Sequence, residues 1–202
     1  MRRQVFQPFE RFWHWTQAAL VLFLALTGFE VHGSLSFFGF DQAVRYHNLA
    51  SWGFIALILV AMFWHLATGE WAHYVPTTKN VGEQARYYLI GIFRNEPHPG
   101  HAELSKLNPL QRIVYAGLKV LVIPLMVTTG IFYLSFHFVR GGQVGQLHLR
   151  DLSTIAALHT LGAFALMSFL IAHLYLMTTG RTATSNLKAM LTGYEEDVSD
   201  AR

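Results

Sequence analysis

An uncharged apolar run long enough to cross a bilayer holds two histidines, His159 and His173 in LSTIAALHTLGAFALMSFLIAHLYLMTTG. Their spacing, at about 1.5 Å and about 100° per residue of helix, puts both imidazoles on nearly one face and about 21 Å apart along the axis. Two stacked metal sites fit that interval. Ionisable side chains inside a membrane span are costly and read as functional by default, and neutral imidazole is the commonest protein ligand for haem iron. Taken alone, the helix also permits a plainer reading, two histidines hydrogen-bonded to neighbouring helices.

The rest of the chain is of the same kind. Its 202 residues are 52% hydrophobic and only 13% charged, outside the ordinary soluble class. Apolar runs at roughly Phe12–Val31, Tyr46–Gly69, Val120–Val139 and Leu152–Gly180 each approach or exceed the ~20 residues a helix needs to span hydrocarbon. The expected fold is all-α, an integral membrane four-helix bundle with spans near 12–32, 46–70, 113–139 and 152–180, a connection at 71–112, and one domain over 1–202. The first run exceeds the usual h-region and lacks a small-x-small cleavage site, so it is read as a retained span. Within the long connection Pro76 marks a break, NVGEQARYYLIGIF suits a short interfacial helix, and NEPHPG interrupts it. Pro124 is expected to kink the third span, and the Arg140–Asp151 loop with its GGQVG reads as flexible.

There is no cysteine, which excludes iron–sulfur clusters, covalent c-type haem attachment and thiolate chemistry in this chain. Metal work falls to histidine. The net charge of +3 does not point to nucleic acid, because the cations flank the spans rather than forming a stripe among aromatics. Arg2, Arg3, Arg11, Lys79, Arg86, Arg94, Lys106, Arg112, Arg181, Lys188 and Arg202 fall on one side, against Arg45, Arg140 and Arg150 on the other. The positive-inside bias then makes both termini cytoplasmic.

Of eleven histidines, His73, His98 and His101 fall in the long connection, and His32, His137 and His148 at or beyond the periplasmic span ends. His14, His47, His65, His159 and His173 remain. Axial ligands of one haem must share a depth on facing helices, which pairs His14 with His173 and His47 with His159. His65 lies about five turns from His47 on the same face and is an alternative to His14, or a partner of a propionate, a quinone or the long connection. Gly28 stands as far after His14 as His173 after His159, and is the candidate haem-packing glycine, since a macrocycle needs close backbone approach.

Four segments carry a resemblance. ERFWHWTQAALVLFLALTG, RYHNLASWGF, KLNPLQRIVYAGL and ALHTLGAFALMSFLIAHLYL resemble, in order, the four spans of the prokaryotic dihaem cytochrome b561-like superfamily over roughly Glu10–Gly193. The nearest branches are the formate dehydrogenase gamma subunit and the thiosulfate reductase cytochrome b subunit, with the hydrogenase b-type subunit more distant. The resemblance implies two b-type haems, a cytoplasmic one on His14 and His173 and a periplasmic one on His47 and His159. It further implies a quinone, menaquinone or ubiquinone, exchanging near the cytoplasmic haem. Asn108 and Gln111, at the start of the third span, match the family's polar positions there, with helix capping as their alternative role. His65, the GGQVG loop and a short C-terminal tail depart from the pattern.

The leading expectation is an electron-transfer subunit in the bacterial inner membrane, linking the quinone pool to a periplasmic iron–sulfur or multihaem subunit and its catalytic subunit. Bis-histidine ligation fills both axial positions, so substrate chemistry on formate, a sulfur compound or hydrogen would belong to that catalytic subunit. A stand-alone cytochrome b561-type quinone oxidoreductase and a haem-free transporter are the alternatives.

Overall fold

A computed structural model describes residues 2–94, 96, 107–138, 149–180 and 182–196. His98, His101, His148, most of NEPHPG and the GGQVG loop lie outside the described residues. The order is β1 (Arg2–Gln4), α1 (Pro8–Val31), α2 (Phe40–Thr68), α3 (Val81–Leu89), α4 (Pro109–Gly117), α5 (Ile123–Phe138), α6 (Leu149–Met177), α7 (Ser185–Thr192) and β2 (Tyr194–Glu196). Four helical stretches among the described residues are long and apolar enough to cross a membrane: Pro8–Val31, Phe40–Thr68, Pro109–Ser135 and Leu152–Met177.

The burial pattern inverts that of a soluble protein. Phe12, Leu49, Phe63, Leu121, Phe164 and Ile171 are exposed, whereas Glu10, Thr27, Glu30, His65, Gln84, Asn108 and Thr129 are buried. With lipid as solvent, apolar groups gain nothing by leaving the surface and polar groups must find partners inside. The buried stripe of α2 runs through Ala43, Ala50, Phe54, Leu57, Ala61 and His65, and His47 falls on it by helical register.

Two compact units divide the chain, residues 1–64 with 167–202, and residues 65–166. In the first unit β1 pairs antiparallel with β2, Arg2 opposite Glu196. This pairing of the two ends has no counterpart in the expected all-α fold. Gly193 ends α7 at φ 87°, and its carbonyl accepts from the amides of Val5 (2.9 Å) and Phe6 (3.2 Å). Arg11 Nη1 donates to the Leu191 carbonyl at 2.7 Å, so α7 is fixed to the start of α1. The first apolar run carries one charged residue near its end, Glu30. Its Oε1 accepts from the amides of Phe37 (2.9 Å), Phe38 (2.6 Å) and Gly39 (2.7 Å), which folds the α1–α2 connection into a compact turn and lets α2 start at Phe40, earlier than its charge-free run.

α2 ends at Thr68 because Gly69 takes φ 77°, close to the expected span end near 70 and ahead of the break at Pro76. A 3₁₀ turn (Glu70–Tyr74) follows, then α3, a short helix where NVGEQARYYLIGIF was expected to form one. Between α4 and α5 the chain is π-helical over Leu118–Val122. The ladder is therefore relaxed immediately before Pro124, whose missing N–H and ring bulk an unbroken α-helix would not accommodate.

Gly193→Ala should unfasten the end clasp. The left-handed backbone alone costs about 1–2 kcal/mol for a residue with a Cβ, and that Cβ would stand 2.8 Å from the Phe6 carbonyl oxygen. We expect a lower thermal midpoint and faster proteolysis of the C-terminal tail. Gly117→Ala, with open space around the new methyl, should leave both unchanged or slightly improved.

Candidate functional site

The long helices place the candidate histidines at positions where no ion is held by protein donors alone. Among the described residues no three His, Cys, Asp or Glu side chains gather closely enough to do so. A facing pair of imidazoles suits a metal that brings its other ligands with it.

In the first unit His14, two turns into α1, and His173, near the end of α6, stand with ring centroids 6.2 Å apart and planes at 49°. Two imidazoles ligating one metal from opposite sides, with bonds of about 2 Å, have their ring centres about 6 Å apart. The pair matches that separation. Phe169 stacks on His173, centroids 5.6 Å apart, and Trp15 lies edge-on to His14 at 5.2 Å. Trp15 Nε1 in turn donates to the Met190 carbonyl at 3.4 Å, so the clasp between α7 and α1 also steadies this pair. His14 Nδ1 is buried with no hydrogen-bond partner among the described residues.

His47 belongs to the same unit and is held differently. Its Nδ1 lies 3.0 Å from Thr27 Oγ1, and a methyl built on Gly28 would stand 3.5 Å from its Cε1. Gly28 thus packs beside His47 rather than above His14, and its backbone lines one side of the ring. In the second unit His159 has the same surroundings: Nδ1 is 2.9 Å from Thr129 Oγ1, and a methyl on Gly130 would stand 3.4 Å from Cε1. Sequence reading picked out Gly28 but missed both threonines; a Thr-Gly pair inside two different spans was the available signal.

His65 is buried in the second unit beside Tyr74, centroids 5.2 Å apart. Lys119, overlooked because it stands one residue before the charge-free run, sits in the π-helical stretch with its Nζ 3.4 Å from the Tyr74 ring centre, a cation–π contact.

Asn108 and Gln111 form a capping box on α4. Asn108 Oδ1 accepts from the Gln111 amide at 2.8 Å, and Gln111 Oε1 accepts from the Asn108 amide at 3.0 Å. Asn108 Nδ2 donates to the Tyr88 hydroxyl at 2.9 Å, tying α3 to α4. Burial pushes the Tyr88 phenol above its ordinary range, with the Asn108 contact pulling the other way. The side-chain oxygens of both residues are committed to the helix start, and Asn108 is 1% exposed.

Comparison with known proteins adds two findings. The family profile described as prokaryotic cytochrome b561 matches residues 5–193. A protein of Escherichia coli (strain K12) described as a cytochrome, YdhU, is 32% identical over 197 residues, covering 91% of this chain and 71% of the relative.

Asn108→Ala should cost about 0.5–2 kcal/mol, the range for a lost N-cap, and release Tyr88. A thermal midpoint lowered by more than in Gln111→Ala is expected, since only Asn108 also bridges to α3. Equal effects would show the Tyr88 contact to be idle.

Proposed function

The chain belongs to the prokaryotic cytochrome b561 family, and on that premise we propose that it is the dihaem membrane subunit of a respiratory oxidoreductase, linking a quinone pool to a periplasmic redox partner. The family binds b-type haem, and this chain is a multi-pass membrane cytochrome of the electron-transfer kind. The proposal adds the number of haems, their ligands, the quinone and the partners.

The observation that carries it is the His14–His173 pair, at a separation suited to two axial ligands on one iron. We assign that pair to one haem and His47 with His159 to a second. Haem held by two histidines supplies one-electron transfer and leaves no open position for a substrate. The protein's own part is to hold four imidazoles, exclude water with an apolar surround, and keep each ring in one orientation. Gly28 is proposed to admit a macrocycle beside its backbone. A methyl there meets His47 only at ordinary contact distance, so haem loss in Gly28→Ala would report crowding of the macrocycle rather than of the ring.

Charge distribution supports an inner-membrane protein with both termini cytoplasmic, which puts the His14–His173 haem on the cytoplasmic side and the partner, an iron–sulfur or multihaem subunit with its catalytic subunit, at the periplasmic face. Quinone is proposed to exchange near the cytoplasmic haem, at the start of α4. There Asn108 shapes the helix end, and the Gln111 amide, not needed as a donor by the capping box, is the group for a quinone carbonyl. His65, with Tyr74 and Lys119 beside it, is the further polar candidate. A stand-alone quinone oxidoreductase differs only in lacking a permanent partner, and co-purification from native membranes separates the two.

Pyridine haemochrome quantification should give close to two non-covalent haems per chain. His47→Ala should remove one and leave a low-spin signal from the other. Were His65→Ala to abolish the second haem while His14→Ala spared it, His65 would replace His14 as ligand.

Stopped-flow reduction or oxidation of haem by quinone should slow in Gln111→Ala with both haem spectra intact. Unchanged kinetics there, together with slowing in His65→Ala, would move the quinone site to the His65 cluster.

A further inference from the structure

Two threonines in different spans make the same set of contacts. Thr27 is fully buried and Thr129 is 5% exposed. Thr27 Oγ1 lies 2.9 Å from the Phe23 carbonyl and 3.0 Å from His47 Nδ1. Thr129 Oγ1 lies 2.6 Å from the Leu125 carbonyl and 2.9 Å from His159 Nδ1. In each case the carbonyl belongs to the residue four earlier, and a glycine follows the threonine.

A hydroxyl has one proton to give and lone pairs to receive with. Donated to the carbonyl one turn back, which is the standard use of a helical threonine in an apolar setting, that proton is no longer available to the ring. Oγ1 must then accept from Nδ1–H. The imidazole is thereby fixed in the tautomer that puts its lone pair on Nε2, the state in which Nε2 ligates a metal. Ordinary interhelical hydrogen bonding by threonine would not require the same ring nitrogen, the same backbone bond and the same following glycine at both places.

We propose that Thr27 and Thr129 are matched positioning residues. Each accepts the Nδ1 proton of one axial histidine, so that the two together orient both ligands of the His47–His159 haem, strengthen its retention and lower its midpoint potential. The inference rests on the assignment of His47 and His159 to one haem. The physical link is that an acceptor on Nδ1–H fixes the ring and raises the basicity of Nε2. A more electron-donating ligand favours ferric over ferrous iron. Low dielectric around the spans strengthens the effect. His14 has no such acceptor on its Nδ1 among the described residues, so the two haems should differ in this respect.

The test uses the full chain in detergent or membranes, with Thr27→Val, Thr129→Val, the double variant, and Thr27→Ser and Thr129→Ser as hydroxyl-retaining controls. Optical redox titration with low-temperature EPR should show one of two haems shifted to higher potential in either Val variant, further in the double, and the other unchanged. Release of that haem to an acceptor apoprotein should quicken, for ten- to hundredfold weaker retention as is usual on losing a partner of a metal-ligating histidine. The Ser variants should restore both. In haem-free protein, ¹⁵N NMR of labelled histidine should report Nδ1–H at His47 and His159, lost in the Val variants. Wild-type potential, EPR signal and release rate in both Val variants would overturn the proposal, as would a shift confined to the other haem. Should one Val variant fail to fold, the remaining one reads the same haem from its other side. Retention of two haems in His47→Ala would instead defeat the ligand assignment, and the NMR measurement would still decide the role of the threonines.

Discussion

A polar group inside a membrane span has no water to return to, and the described parts of this protein follow from that constraint. The most deeply buried side chains include Thr27, Glu30, Asn108 and Thr129, and each is placed where backbone or ring donors and acceptors wait for it. One oxygen of Glu30 gathers three successive amides, doing for the α1–α2 connection what solvent does for a surface loop. Asn108 closes the exposed amides at the start of α4 and reaches across to α3. The hydroxyls of Thr27 and Thr129 satisfy a helix carbonyl and a histidine at once. Apolar packing, by contrast, supplies little direction, since large side chains such as Phe63 and Leu66 simply face outward.

Much of this was legible beforehand because hydropathy and length report on a bilayer directly. The four spans stand out for that reason, with ends that differ by a few residues wherever a helix continues past the hydrocarbon, as α2 does through Asp41 and Arg45. Depth left His14 and His65 both open as partners of His173, and the structure brings the rings of His14 and His173 together. What stayed hidden depends on contacts across long sequence separations. Thr27 and Thr129 read as unremarkable small residues until the helix opposite is known. Glu30 was absorbed into an apolar run, and nothing in Arg2–Gln4 or Tyr194–Glu196 announces that the two would pair. Asn108 and Gln111 show the opposite case: a local signature, Asn-Pro-x-Gln, fixes the helix start whatever else those residues do.

The candidate histidines are supported by unlike means. His47 and His159 are each held by a hydroxyl on a neighbouring helix of the same unit, an arrangement local to one helix pair. His14 and His173 are brought together from opposite ends of the sequence, and their surroundings lean on Trp15, Met190 and the strand pairing of the termini.

That difference bears on the order in which the molecule is made. The clasp joins Arg2–Gln4 to Tyr194–Glu196 across a very long separation in sequence. No arrangement of the early spans alone can close it. Contacts of such high sequence separation form late, because a long loop must be closed before they repay its entropy. The meeting of His14 with His173 is therefore completed late in folding, once α6 and α7 have joined α1.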